Sequence, residues 1–268
     1  MVDRKLPEHA APNLDASPPE PSAIARTRTY FERHGASATV REIVYGLLRK
    51  RAEPRSDAMS RRFDEENQVR TDGRIFLSDM SVVAASTDQS MWYEPAPINV
   101  IPNVLHKLKA SYDGYTFIDL GSGLGRVVLQ ASQFNFEKIV GVEFAENLYR
   151  QAVENLHRYP RHKQKCRNVE LLCTDVRAFE FPETDSVIFI YDAFKAELLQ
   201  SIVERLRASH LACPRKIYLV YLNPDQRNNP IPIIEGSGFL FKKEIFGFME
   251  HVLYYRNNMH RVVVYETT

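Results

Sequence analysis

The chain has 268 residues, 44% of them hydrophobic, and carries 35 Lys and Arg against 34 Asp and Glu, a formal net charge of +1. That length accommodates one large α/β domain with an extension, or two small domains, and the apolar share suffices for a sizeable core. The near-zero charge excludes a global field that draws the protein to nucleic acid or anionic membranes, and no apolar run reaches the roughly 18 residues of a membrane span.

The N-terminus, MVDRKLPEHAAPNL, lacks the apolar centre of a signal peptide. The cysteines, Cys166, Cys173 and Cys213, are scattered and odd in number, which points to reduced thiols. The expectation is a cytoplasmic protein. Residues 1–22 hold Pro7, Pro12, Pro18, Pro19 and Pro21 with few large apolar groups, and read as a disordered tail. From Ile24 to about Arg62 the pattern is helical, with Ile43, Leu47 and Leu48 on one face and an excess of basic residues. Residues 23–97 thus read as an N-terminal helical cap and linker. Thr71-Asp72-Gly73 is a turn signal, and Tyr93-Glu94-Pro95-Ala96-Pro97 is expected to be extended because each proline pushes its predecessor out of the α region. Val100 to Lys109 predicts a short helix.

From Phe117 strands and helices alternate. Strands are predicted at Thr116–Leu120, Lys138–Glu143, Val169–Cys173, Ser186–Tyr191 and Lys216–Leu222. Helices are predicted at Leu124–Phe134, Glu146–His157 and Lys195–Ala208. Two further β-like runs, Phe239–Phe248 and Arg261–Glu266, are close enough to pair as an antiparallel hairpin. Alternation of this kind makes a mostly parallel sheet covered on both faces, here residues 98–268.

Between the first strand and its helix stand Gly121, Gly123 and Gly125. So much backbone freedom at one turn needs a reason, and the usual one is a ligand that must lie against the chain. A dinucleotide fingerprint, G-x-G-x-x-G, requires a third glycine where this chain has Arg126 or, one register on, Val128. No G-K-[ST] follows, so a Walker phosphate loop is also excluded. His157, His162 and Cys166 have no metal-ligand spacing, and no metal is expected.

The pattern present, Asp119-x-Gly121-x-Gly123-x-Gly125, resembles the first motif of class I S-adenosylmethionine (SAM) methyltransferases. The segments around Phe63-Asp64, Thr71-Asp72-Gly73, Leu77-Ser78-Asp79 and Tyr93-Glu94-Pro95, then FIDLGSGLGRVVLQAS and Gly141-Val142-Glu143, are similar to a group of bacterial members of unassigned substrate. The likeness spans about Phe63 to Thr268. The glycine motif with its following Val-Val-Leu-Gln also resembles the disruptor-of-telomeric-silencing type of histone lysine methyltransferase. Where that type has Asn-Asn-Phe, this chain has Asp192-Ala193-Phe194. The Asn/Asp-Pro-Pro-Tyr signature of nucleic-acid amino methyltransferases is absent, so nucleic acid has no support as acceptor.

The resemblance implies a Rossmann-like α/β fold, SAM as cofactor, and a residue set to hold it. Asp119 is expected at the methionyl ammonium, with Gly121, Ser122, Gly123 and Gly125 against the ligand. Glu143, followed by Phe144, is expected at the ribose hydroxyls. Asp175 is expected at the adenine amino group, with the Val176 N–H toward a ring nitrogen. Asp192, after the fourth strand, is the first candidate to face the methyl group. Tyr93 is a second catalytic candidate and, with Glu94, closes over the cofactor. A strand-end aspartate also serves as a helix cap, which leaves Asp175 and Asp192 open to that reading. Three functions follow: a methyltransferase of unidentified acceptor, a protein-lysine methyltransferase, or a SAM-binding module without catalysis. Acceptor and oligomeric state are not legible in the sequence, and nothing in it suggests a membrane partner.

Overall fold

The computed structural model describes residues 58–73, 75–76, 92–98, 100–109, 111–222, 230–249 and 259–268. The disordered tail expected for residues 1–22, most of the basic helical region and the Asn223-Pro224 turn lie outside these. The described residues all fall within one compact unit, 49–268.

Helix α1 covers 58–67, past the expected end at Arg62. A two-residue ladder pairs β1, Ile75–Phe76, with β2, Trp92–Tyr93. Then follow α2 (Val100–Leu108), β3 (Thr116–Leu120), α3 (Arg126–Ala131), β4 (Lys138–Glu143), α4 (Glu146–Arg158), β5 (Val169–Cys173), β6 (Ser186–Tyr191), α5 (Ala196–Ala212) and β7 (Ile217–Leu222). A short α6 (Ile231–Glu235), absent from the sequence reading, precedes β8 (Phe241–Met249) and β9 (Met259–Glu266).

Strands β3 to β9 form one seven-stranded sheet in the order β5-β4-β3-β6-β7-β9-β8. All pairings from β5 to β7 are parallel, and β9 inserts antiparallel between β7 and β8, closing the expected hairpin. Order reverses between β4-β3 and β3-β6. Open α/β sheets bind ligands outside the strand ends at such a point. Central β3, TFIDL, is buried at every position, as a strand covered on both faces must be.

Each face has its own core. Val100, Ile101, Val104, Leu105 and Leu108 of α2 recur at helical spacing and pack with Val127, Val128 and Phe117 on one face. On the other, Leu198, Leu199, Ile202, Val203 and Leu206 of α5 pack against Ile118, Ile188 and Leu219. Burial of such side chains contributes about 1.5–3 kcal/mol each. Opposite parity on β3 puts Ile118 and Leu120 under α5 and leaves Asp119 on the α2–α3 face. No helix among the described residues is long and apolar enough to cross a membrane.

Candidate functional site

The chain leaves β3 at Leu120 and turns on three left-handed glycines, Gly121 (φ +85), Gly123 (φ +52) and Gly125 (φ +83). The N–H groups of Gly121 and Ser122 both donate to the Val142 carbonyl, at 2.9 and 3.0 Å, which ties the turn to β4. Gly125 then serves as N-cap of α3, which starts two residues later than the hydrophobic pattern suggested. Gly123 has a second reason to be glycine: a Cβ there would lie 2.2 Å from the Tyr93 ring.

Asp119 is 2% exposed, and its Oδ2 has no hydrogen-bond partner. Burial pushes its carboxyl well above the usual range, and the Glu143 charge pushes further. Glu143 is buried at the end of β4, where its Oε2 accepts the Gly123 N–H at 2.7 Å and its Oε1 accepts the Ala145 N–H at 2.9 Å. Burial raises this carboxyl too, and the N–H groups of Ala145, Gly123 and Phe144 oppose the rise. Phe144 packs with Leu124, Ala145, Leu148, Ile75 and Tyr93.

Asp175 follows β5 and caps the 3-10 turn Val176–Ala178. Its carboxylate accepts from the Arg177 N–H at 2.8 Å and from Arg177 Nε and Nη2 at 3.0 and 2.9 Å. That pairing holds it below the usual carboxylate range. Val176 is buried in the core under α5, and its carbonyl accepts from Arg205 Nη1 at 2.9 Å. Asp192, after β6, is 7% exposed with φ at +38, a left-handed conformation that costs a non-glycine residue on the order of 1–2 kcal/mol. It does not cap α5, whose N-cap is Lys195.

One small cleft gathers Tyr93, Asp119, Gly121 and Ser122 with Glu94, Ala96, Arg126, Val127, Phe189 and Tyr191. Gly123 and Glu143 adjoin it through the Tyr93 ring and the shared hydrogen bond. Asp175, Val176 and Asp192 do not line it. The Tyr93 phenol donates to the Thr71 carbonyl at 2.9 Å, and burial raises its pKa far above the ordinary tyrosine value. In this arrangement the phenol is a committed donor rather than a base.

The sequence reading missed Arg126, which it weighed only as a glycine that is not there. Its side chain is 2% exposed. Nε donates to Thr71 Oγ1 at 2.8 Å, and Nη1 donates to Ser60 Oγ at 2.9 Å and to the Ala96 carbonyl at 3.2 Å. Nη2 has no hydrogen-bond partner and lies 3.5 Å from Asp72 Oδ1. The available signal was an arginine on the first turn of a helix whose other residues are all buried. The cleft therefore offers one carboxyl oxygen without a hydrogen-bond partner, on Asp119, and one guanidinium nitrogen without one, on Arg126, the latter facing Asp72. Buried polar atoms in native proteins are seldom left this way. A zwitterionic α-amino acid would satisfy both, and SAM carries one at its methionyl end.

Residues 90–210 match the family model described as Histone methylation protein DOT1. A protein-lysine N-methyltransferase of Saccharolobus islandicus (strain REY15A) is 37% identical over 67 residues, covering 25% of this chain and 41% of that one. This chain thus spans under half the length of that relative. Among solved structures, magnesium protoporphyrin IX methyltransferase from Synechocystis PCC 6803 with bound SAM has a TM-score of 0.46 at 14% identity, covering 63% of this chain and 77% of its own. A SAM-dependent methyltransferase from Aquifex aeolicus has a TM-score of 0.46 at 17% identity, covering 63% and 90%. The matched segment carries the glycine turn and the strand-end acids, and over that part of its length the chain is similar to DOT1-type methyltransferases.

Proposed function

We propose that the protein transfers a methyl group from SAM to a lysine side chain of another protein. The observation that carries the cofactor half is that Asp119 Oδ2 and Arg126 Nη2, neither with a hydrogen-bond partner, belong to residues lining one cleft. Asp119 would take the ammonium and Arg126 the carboxylate. Glu143 keeps lone pairs beyond its two backbone hydrogen bonds for ribose hydroxyls. For Asp175 to reach the adenine amino group, its carboxylate would share its accepting positions with Arg177. Gly121, Ser122, Gly123, Gly125 and Phe144 would form the floor, with the Tyr93 ring packed against it at Gly123.

The acceptor half is supported by the family match, by the lysine-specific relative and by the character of the cleft. Tyr93, Phe189 and Tyr191 with Glu94 suit the alkyl stem and cationic head of lysine better than they suit a polyanion. When bound, SAM supplies an activated methyl carbon on a sulfonium. This chain's contribution is alignment, which can be worth roughly 7–11 kcal/mol in favourable cases. A lysine must also lose a proton before its nitrogen can attack. Asp192, which follows β6 directly after Tyr191 of the cleft, is the candidate to receive it. A cytoplasmic location, in keeping with three unpaired cysteines, belongs to the same reading.

The test is incubation with tritiated SAM and a fractionated lysate, followed by acid hydrolysis of the labelled material. Methylated lysine is expected. Label in nucleic acid, lipid or metabolite overturns the acceptor. SAM binding without transfer reduces the protein to a binding module, and no binding by calorimetry overturns the cofactor reading.

A further inference from the structure

Thr71 lies outside residues 90–210 and is 0% exposed. Its Oγ1 accepts from Arg126 Nε at 2.8 Å, its carbonyl accepts the Tyr93 phenol at 2.9 Å, and its hydroxyl and N–H both donate to Asp64, at 2.6 Å each. Asp64 Oδ2 also accepts the Asp72 N–H at 2.9 Å. Behind this loop, Asn155 of α4 accepts the Arg70 N–H and donates to the Arg70 carbonyl, both at 2.8 Å, and donates to Leu124 of the glycine turn at 2.9 Å. The segment is therefore fixed to the turn from two sides.

Thr71 hydrogen-bonds to both the guanidinium and the phenol that flank the glycine turn. Its hydroxyl proton is drawn to Asp64, which turns an oxygen lone pair toward Arg126. With Nε engaged there and Nη1 held by Ser60 and Ala96, the guanidinium plane is set, and Nη2, 3.5 Å from Asp72 Oδ1, is the nitrogen left without a hydrogen-bond partner. An uncommitted buried guanidinium would be several kcal/mol costlier to hold and free to rotate out of register.

We propose that Thr71, backed by Asp64, is a positioning residue for the amino-acid end of the cofactor, holding Arg126 and Tyr93 at the glycine turn. The proposal rests on the SAM reading above. It makes residues 60–73 part of the cofactor site, with no contact of their own to the ligand required.

Calorimetry with two ligands tests it. S-adenosylhomocysteine carries the amino-acid end, and 5′-methylthioadenosine has the same nucleoside without it. The wild type should bind the first more tightly. Thr71→Val should weaken S-adenosylhomocysteine about tenfold or more, the loss expected for one charge-assisted hydrogen bond, and leave methylthioadenosine within about twofold. Thr71→Ser, which keeps the hydroxyl, should restore wild-type affinity. Should Thr71→Val not fold, Asp64→Asn carries the same comparison with a smaller loss in the same direction. Equal loss for both ligands marks a merely structural residue and overturns the proposal, as does no loss for either or a wild type that does not distinguish them. A wild type that binds neither refutes the SAM reading itself, and the proposal with it.

Discussion

Replacing Asp119 by asparagine should move stability and cofactor affinity in opposite directions. The carboxylate is 2% exposed, its Oδ2 has no hydrogen-bond partner, and Glu143 is close enough to raise its pKa further. An unsatisfied buried polar group costs about 1–3 kcal/mol, and a neutral amide of the same shape removes the charge repulsion. A gain of about 1–2 kcal/mol is therefore expected near neutral pH. For a domain of this size that raises Tm by about 2–4 °C per kcal/mol. The same change removes a charge-assisted acceptor for the ligand ammonium, worth about 1.5–3 kcal/mol, or roughly a 10- to 150-fold loss of S-adenosylhomocysteine affinity. Scanning calorimetry and titration calorimetry on one preparation read both quantities. A variant that is less stable and binds as before would refute the reasoning, because Asp119 would then be a structural residue satisfied in a way its geometry does not suggest.

Gly123→Ala should abolish S-adenosylhomocysteine binding and destabilise the fold. Its Cβ would meet the Tyr93 ring at 2.2 Å, and φ of +52 adds about 1–2 kcal/mol for an L-residue, so Gly123→Ala/Tyr93→Ala should recover the steric part and keep the backbone cost. Asp119 and Glu143 both have raised folded-state pKa values, so the folded protein holds more protons than the unfolded chain above the ordinary carboxylate range. Their contribution to stability is present at low pH and is lost as pH rises through the folded values; denaturant midpoints should show the wild type weakening relative to Asp119→Asn from about pH 4 upward. Asn155→Leu should cost about 2–4 kcal/mol in urea unfolding, because it strands the Arg70 backbone and the Leu124 carbonyl, and a near-neutral result would show that water replaces those bonds.

Much of the fold was legible because it is written in local patterns. Val169–Cys173 and Ser186–Tyr191 form strands as read, and the apolar stripe of α5 lies on the face that Leu199, Ile202, Val203 and Leu206 marked out. The pattern misjudged ends. It ran α3 from Leu124 to Phe134, where the structure keeps only Arg126–Ala131, because Gly125 in its left-handed cap delays the start. It stopped α5 at Ala208, and the helix continues to Ala212. Element termini depend on capping contacts, which hydrophobic period does not encode.

The sequence by itself determined that Gly121, Gly123 and Gly125 form a flexible bend between strand and helix, and that acids stand at several strand tips. The spacing of those residues along the chain is enough, since strand exits in a parallel sheet share one edge. What only the tertiary structure decided is the company each acid keeps. Asp119 is buried with an open valence, Glu143 is bound to the turn's own N–H groups, and Asp175 is held by Arg177. The structure also brought Arg126 together with Ser60, Thr71 and Ala96, partners distant in the chain that no local period links. Hydrogen-bond direction and desolvation belong to three-dimensional neighbours, and they set the charge and reach of every polar group at this site.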